Sequence, residues 1–220
     1  MAVIHHTTLT PTKLELLASW LPAQPWYRGK SGQQPELART GGFRLDDPEG
    51  EVGIEFMAAT DTSGDQSVTY HVPFSYRGAP IPGADEALIG TTEHGVLGKR
   101  WVYDGTRDPV LVAQLFALIV GEAEPQMQGM SDTPDPSVTG WFAETGARAA
   151  IASTTVTDDP SGTDILVETA DGRRLTIHIN RVLQPGQDIE GQALGHITAD
   201  APLPDGTTAR TAFAVVRAHP

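Results

Sequence analysis

Two tryptophans and a tyrosine stand close to two basic residues near the start of the chain, in the stretch WLPAQPWYRGK. The aromatic residues are Trp20, Trp26 and Tyr27, and the basic residues are Arg28 and Lys30. Flat aromatic rings can stack on sugar rings, and cations beside them can hold an anion or a carboxylate. Because large aromatic side chains dominate the energetics of protein cores, we favour the alternative in which the tryptophans pack a helix against a sheet.

A second basic and aromatic stretch, Lys99, Arg100 and Trp101, is expected on a strand. Successive side chains of a strand point to opposite faces, so at most one of the two cations can join Trp101. Arg100 and Trp101 are therefore further candidate binding residues. The alternative, which we again favour, is a strand with one core face and one solvated face.

Several kinds of chemistry are excluded or disfavoured. Without cysteine, the chain has no disulfide, thiolate zinc site or cysteine nucleophile. A formal charge of −13 opposes binding to nucleic acid or to anionic membranes. His5 and His6 are adjacent and lack a third ligand at a suitable spacing, and the acidic segments 61–65 and 158–164 lack the pattern of a calcium loop. We therefore predict no metal and no cofactor.

The first half of the chain predicts a helix, antiparallel strands and a second helix. The first helix begins either at Thr10 and Pro11 or at a capping box of Thr12 and Glu15. The second helix is bounded by the sequence DP at Asp108 and by Gly121. Alternation of apolar residues predicts the strands between them, with a hairpin around residues 61–65. The expected strands lie at residues 52–56, 68–74, 87–92 and 96–103.

Residues 122–137 have the composition of a linker, which divides the chain into domains at 1–121 and 138–220. Strands are predicted in the second domain, with a hairpin turn at Asp171 and Gly172 and another turn at Asp205 and Gly206. They lie at residues 149–156, 164–169, 174–182 and 208–217. The predicted fold class is α+β, with an antiparallel sheet packed on helices followed by a mostly antiparallel β domain.

No signal peptide is visible at the N-terminus, and the longest apolar run, residues 110–120, is too short to span a bilayer. We therefore expect a soluble, cytoplasmic protein.

Two segments carry a family resemblance. Residues 20–30, together with residues 73–115, resemble the N-terminal cap of actinobacterial maltokinases, which belong to the aminoglycoside-phosphotransferase-like kinases. The resemblance depends on the tryptophan-rich stretch, the segment VLGKRWVYDG and the helix start DPV, which occur in the same order. It implies that the first domain is a curved antiparallel sheet wrapped on a helix, similar to a cystatin-like fold.

The second domain resembles the kinase less closely. Residues 174–186 are similar to the N-lobe strand that carries the nucleotide-binding lysine, and His178 takes the place of that lysine. A neutral imidazole cannot supply the fixed positive charge that holds nucleotide phosphates. None of the seven histidines has an aspartate two positions later, and the chain ends at Pro220, where the catalytic lobe of such a kinase would begin.

Three functions follow as hypotheses. The leading one is a non-catalytic, cytoplasmic accessory protein of maltose, trehalose or α-glucan metabolism, which binds a carbohydrate or a kinase-like or glucan-processing protein. The second is a divergent or half sugar kinase that a partner chain completes. The third is a docking or homo-oligomerisation module that uses exposed sheet edges.

Overall fold

The computed structural model describes residues 7–30, 32–144, 146, 150–184, 193–202 and 207–219. These residues form two α-helices and two antiparallel sheets, so the protein is mostly antiparallel β. The two sheets of the prediction are confirmed, whereas packing of a sheet on helices describes the molecule only in part. His5 and His6, and the expected turn at Asp205 and Gly206, lie outside the described residues.

The first helix, α1 (Lys13–Trp20), begins at the capping box. The Thr12 side chain accepts from the Glu15 amide, and the Glu15 carboxylate accepts from the Thr12 amide at 2.7 Å. This reciprocal pair satisfies two amides at the start of the helix, which is why the helix begins here and not at Thr10. Leu17 and Leu21 on one side of α1 are fully buried.

The first sheet contains strands from the N-terminal half of the chain. They are β1 (Leu9–Thr10), β2 (Leu37–Leu45), β3 (Gly53–Asp61), β4 (Val68–Arg77), β5 (Leu88–His94), β6 (Gly98–Asp104) and β7 (Gln126–Met127). Their order is β1-β5-β6-β4-β3-β2-β7, so β3 and β4 lie near the centre. The expected hairpin of β3 and β4 is confirmed by their antiparallel register from Gly53 to Asp61.

The second helix, α2 (Pro109–Val120), has the bounds that the sequence predicts. The Asp108 side chain accepts from the Val110 amide, and Gly121 ends the helix in the left-handed conformation with φ 82°. Glycine adopts this conformation without a steric penalty from Cβ.

The second sheet is built from the C-terminal half. Its strands are β8 (Thr139–Phe142), β9 (Ile151–Asp159), β10 (Gly162–Thr169), β11 (Arg174–Ile179), β13 (Gly195–Pro202) and β14 (Thr208–Ala218). Their order is β8-β13-β14-β11-β10-β9. The predicted turn at Asp171 and Gly172 joins β10 to β11, with Gly172 at φ 84°.

The single strand predicted over residues 174–182 is wrong beyond Ile179. Asn180 and Arg181 interrupt it, and the next two residues form β12 (Val182–Leu183), which pairs with β4 of the first sheet. The Asn180 amide group donates to the Ala212 carbonyl, and the Arg181 side chain is bound to Asp104. These contacts hold the chain where it crosses from one sheet to the other.

One hydrophobic cluster contains residues of both sheets and of α2, among them Phe56, Phe116 and Ile177. A second cluster lies on the opposite face of the first sheet and includes Leu17 of α1, Trp26 and Val72. The division into two domains stays a prediction, but the first cluster contains residues from both proposed domains, and β7, which pairs with β2, lies within the proposed linker. Among the described residues, no helix is both long and apolar enough to cross a membrane.

Candidate functional site

A cleft of about 590 Å³ opens where the start of α1 meets the ends of several strands of the first sheet. Its wall contains the connection from β2 to β3, and the turn between β5 and β6 contributes to its mouth. Volumes of this size are typical of small-molecule sites. The lining residues are Thr7, Leu9, Lys13, Arg44, Asp47, Gly50, Glu51, Val52, Gly53, Ile54, Glu55, Tyr76, Thr92, His94, Leu97, Arg100 and Gln128.

Glu55 lies at the base of the cleft and is buried because β3 is a central strand. Its carboxylate is ion-paired with Lys13 and accepts hydrogen bonds of 2.8 Å from Tyr76 Oη and Gln128 Nε2. Burial raises the pKa of Glu55, but Lys13 and these hydrogen bonds outweigh it and leave the pKa below its usual value. Burial and the nearby carboxylate raise the pKa of Tyr76. The base of the cleft is therefore an ionised carboxylate surrounded by donors.

Asp47 holds one wall of the cleft in place. Its carboxylate accepts hydrogen bonds from the backbone amides of Glu49, Glu51 and Val52, at 2.9 to 3.0 Å. Three amides of one turn are thereby satisfied by one buried side chain. Asp47 thus has a positioning role, since its oxygens are directed to the protein's own backbone.

Arg44 and Arg100 have much weaker partners. Arg44 Nε donates to the Met127 carbonyl at 3.3 Å, and Arg100 Nη2 donates to the Leu97 carbonyl at 3.0 Å. In the part of the chain that the structure describes, no carboxylate lies within ion-pair distance of either guanidinium. Arg44 Nη2 and Arg100 Nε are also buried, and neither has a hydrogen-bond partner among the residues that the structure describes. The cleft can therefore offer positive charge and hydrogen-bond donors to a ligand.

The comparison with known families concerns this part of the molecule. Residues 20–108 match the maltokinase N-terminal cap domain. The match confirms the resemblance found in the sequence and covers less than half of the chain. It extends from the end of α1 to the N-cap of α2 and includes all cleft residues except Thr7, Leu9, Lys13 and Gln128. No curated protein matches the chain.

In the cap region, Trp26 has only 1% of its surface exposed. Its ring packs 5.6 Å from Trp20 and 6.1 Å from Tyr70, measured between centroids. Sugar stacking by Trp26 stays a prediction, and the burial of its ring does not favour it. The alternative, in which the tryptophans pack α1 against the sheet, describes the observed arrangement.

The neighbours of Trp26 are anchored to the β3–β4 hairpin and do not line the cleft. Tyr27 Oη donates to Asp61 at 3.2 Å, and both burial and Asp61 raise the pKa of Tyr27. The Arg28 amide donates to the Tyr70 hydroxyl, whose pKa burial raises to about 12. Lys30 forms an exposed ion pair with Asp65. Ligand binding by Trp20, Tyr27, Arg28 and Lys30 stays a prediction.

Arg100 and Trp101 lie on opposite faces of β6, so they cannot form one site together. Lys99 Nζ lies 5.1 Å from the centroid of the Trp101 ring, whereas Arg100 lines the cleft. Of the seven predicted binding residues, Arg100 is the one that reaches the cleft. Any role of Trp101 in binding is therefore separate from the cleft.

His178, on β11 of the second sheet, is hydrogen-bonded through Nδ1 to Asp164 at 2.7 Å. The correspondence of this strand with a kinase N-lobe stays a prediction. Among the described residues, no group of three histidine, aspartate or glutamate side chains is placed to hold a metal ion.

Sequence reasoning missed Lys13, Arg44 and Glu55. Glu55 carried a detectable signal, because strand alternation places it on the same face of β3 as the apolar residues Met57 and Ala59. A carboxylate on an apolar face requires a partner, since burial of an unpaired charge is costly. Lys13 is 42 residues away in sequence, so no local pattern links the two.

Proposed function

We propose that the chain is a non-catalytic accessory protein related to the maltokinase cap, that it binds a small polar ligand in the cleft, and that it acts in the cytoplasm in maltose, trehalose or α-glucan metabolism. The observation that supports this proposal is a cleft of ligand size, most of whose lining residues belong to the cap region. The finer likeness to a cystatin-like fold belongs to the same proposal.

The chemistry of the cleft favours binding over catalysis. Glu55 has a lowered pKa, and both of its oxygens already accept hydrogen bonds or an ion pair. A general base works best with a pKa close to the operating pH, which a stabilised carboxylate lacks. Tyr76 has a raised pKa and donates to Glu55, so it retains its proton at neutral pH. These groups fix the shape of the cleft.

A protein partner can be accommodated elsewhere. Strand β9 is nine residues long, lies at an edge of the second sheet and is largely exposed. The free side of an edge strand can add a strand of another chain. We propose this edge for a kinase-like or glucan-processing protein, or for a second copy of the chain.

Calorimetric titration with maltose, trehalose and a linear maltooligosaccharide tests the ligand proposal. Leu97→Trp, in a lining residue that is 46% exposed, should obstruct the mouth and weaken binding at least tenfold. Val96→Trp is the matched control, because Val96 is adjacent and 61% exposed but does not line the cleft. If both variants weaken ligand binding equally, or if neither variant weakens it, the ligand does not bind in the cleft.

Two further measurements separate the other functions. A ligand that binds only the native state raises thermal stability by mass action. If ATP with magnesium stabilises the chain and phosphate is transferred to a sugar, the half-kinase hypothesis is favoured. Light scattering that shows only monomer would count against the homo-oligomer.

A further inference from the structure

The hydrogen-bond acceptors of the cleft are already engaged by the protein. The Glu55 carboxylate receives Lys13, Tyr76 and Gln128. The Asp47 carboxylate receives three backbone amides of the turn that it closes. The remaining lining carboxylate, Glu51, is exposed at the mouth. Few acceptors are therefore left inside the cleft for the hydroxyl groups of a ligand.

The donors of the cleft are in excess. Within the described part of the chain, Arg44 and Arg100 each donate one hydrogen bond to a backbone carbonyl, and each has one buried nitrogen without a hydrogen-bond partner. The Lys13 side chain is 30% exposed, and its ammonium is ion-paired with Glu55 and lies 5.0 Å from the centroid of the Tyr76 ring. A charged donor withdrawn from water gains most from an acceptor that is itself charged. The donors of Arg44, Arg100 and Lys13 therefore favour a ligand rich in hydrogen-bond acceptors.

The charge of the whole chain narrows the class of ligand. A net charge of −13 repels anions at long range, and Glu51 adds a negative charge at the mouth of the cleft. This repulsion weakens the binding of a ligand with a single oxyanion group only slightly, whereas it weakens the binding of a polyphosphate much more. The volume of about 590 Å³ also exceeds that of a free phosphate ion, which leaves room for a body the size of a sugar.

We infer that the cleft binds a small polar molecule carrying one oxyanion group, a phosphate monoester or a carboxylate, which Arg44 and Arg100 hold and Lys13 assists. The planar guanidinium group suits both oxyanions, because its parallel N–H groups can bond two oxygens at once. This inference rests on the proposed function in that it takes the cleft as the ligand site, and it adds the charge of the ligand.

The experiment is calorimetric titration of the full chain at low salt and neutral pH. The probes are glucose, glucose 1-phosphate, glucuronate, inorganic phosphate and maltose. Glucose 1-phosphate or glucuronate should bind at least tenfold more tightly than glucose, and the affinity should fall as salt is raised. The tighter of the two charged sugars identifies the oxyanion, and inorganic phosphate should bind more weakly than the better of them.

Arg44→Gln and Arg100→Gln should each lower the affinity for the charged sugar at least tenfold. Arg44→Lys and Arg100→Lys retain the charge but lose the planar group, and should give intermediate affinities. Arg174→Gln is the control, because Arg174 is exposed on the second sheet and does not line the cleft. Thermal melts of each variant establish that it is folded.

Two results overturn the inference in different ways. If maltose binds as tightly as any charged probe, and equally in wild type and in the arginine variants, the oxyanion inference is wrong and the proposed function stands. If no probe binds to a folded wild-type chain, both the oxyanion inference and the proposed function are wrong.

Discussion

Arginine is withdrawn from water in two regions of this molecule, and its partners differ between them. The first region, which we call the joint, consists of Trp26, His71, Asp104, Asn180 and Arg181. There the guanidinium of Arg181 is fully buried, lies 4.9 Å from the centroid of the Trp26 ring and is ion-paired with Asp104. It also donates to Thr163 at 2.7 Å and to Thr106 at 3.2 Å.

In the cleft, by contrast, the hydrogen bonds that Arg44 and Arg100 donate to described residues go to the backbone carbonyls of Met127 and Leu97. The anion of the joint comes from the chain itself, from a strand 77 residues earlier in sequence, and thereby fastens the second half of the chain to the first. Among the described residues, no carboxylate forms an ion pair with Arg44 or Arg100 in the cleft. Arg181 therefore holds the fold together, whereas Arg44 and Arg100 remain available to a ligand.

The largest expected effect on stability comes from removing the Asp104 carboxylate, the anion of the joint. Asp104→Ala leaves the charge of Arg181 buried without a counterion, and removal of one partner of a buried pair costs about 3–5 kcal/mol. Urea denaturation of the variant should show that loss in the free energy of unfolding. The double variant Asp104→Leu with Arg181→Met should recover part of it, because no buried charge then remains.

The control is the exposed pair of Lys30 and Asp65, whose side chains are 59% and 86% exposed. Lys30→Ala should cost no more than about 1 kcal/mol, because solvent screens such a pair. Similar losses for Asp104→Ala and Lys30→Ala would show that the joint does not stabilise the fold through its charges.

Glu55→Gln should have the next largest effect, a loss of about 2 kcal/mol at pH 7, because hydrogen bonds to a charged acceptor are replaced by weaker ones. The folded-state pKa of Glu55 lies below its unfolded value. The carboxylate therefore stabilises the protein fully above the unfolded pKa of about 4.3, and this contribution is lost as pH falls through the folded pKa. Urea midpoints of wild type and variant should converge below pH 4.

The sequence predicted those elements whose signals are local. Asp108 and Gly121 bound α2 because capping acts within a few residues, and the Asp171–Gly172 turn requires only its own backbone geometry. Strand β2 was missed because its two glycines resemble a loop. Gly42, which follows a register shift between Arg39 and Gly41, has φ 123°, and a Cβ there would stand 2.0 Å from the Phe56 carbonyl oxygen. Here glycine allows the close approach of two strands.

The contacts that define the joint and the cleft could not be predicted, because they join residues distant in sequence. The step from β11 to β12 at Asn180 and Arg181 depends on Asp104 and Ala212, and the base of the cleft depends on Lys13 meeting Glu55. Arg100 was singled out because it lies in a stretch of basic and aromatic residues, and strand alternation places it and Lys99 on opposite faces, with Lys99 beside Trp101. The cleft itself forms only when five stretches of the chain come together, at residues 7–13, 44–55, 76, 92–100 and 128.

A pH titration tests the electrostatics of the joint with a smaller expected effect. Burial and the charge of Arg181 lower the pKa of His71 to about 3, although a hydrogen bond to the Asn180 carbonyl opposes the shift. Between pH 6.5 and pH 3 the unfolded state therefore binds a proton that the native state does not, and stability falls as the pH falls. Between pH 7 and pH 5.5 the wild type should lose about 1 kcal/mol more than His71→Gln does, measured by urea denaturation at each pH. Equal losses would show that His71 takes up its proton as readily in the native state as in the unfolded state.

The smallest effect on stability is expected in the cleft. Arg44→Ala and Arg100→Ala should each change the free energy of unfolding by about 0.5 kcal/mol or less, because neither side chain has a carboxylate partner among the described residues. Arg77→Ala is the matched comparison, since Arg77 also belongs to the first sheet but binds the buried Asp108 through two hydrogen bonds of 2.7 Å. That variant should lose about 2 kcal/mol or more in the same urea titration. A loss of that size for Arg44→Ala or Arg100→Ala would mean that the cleft arginines hold the fold as Arg181 does, and the distinction between joint and cleft would disappear.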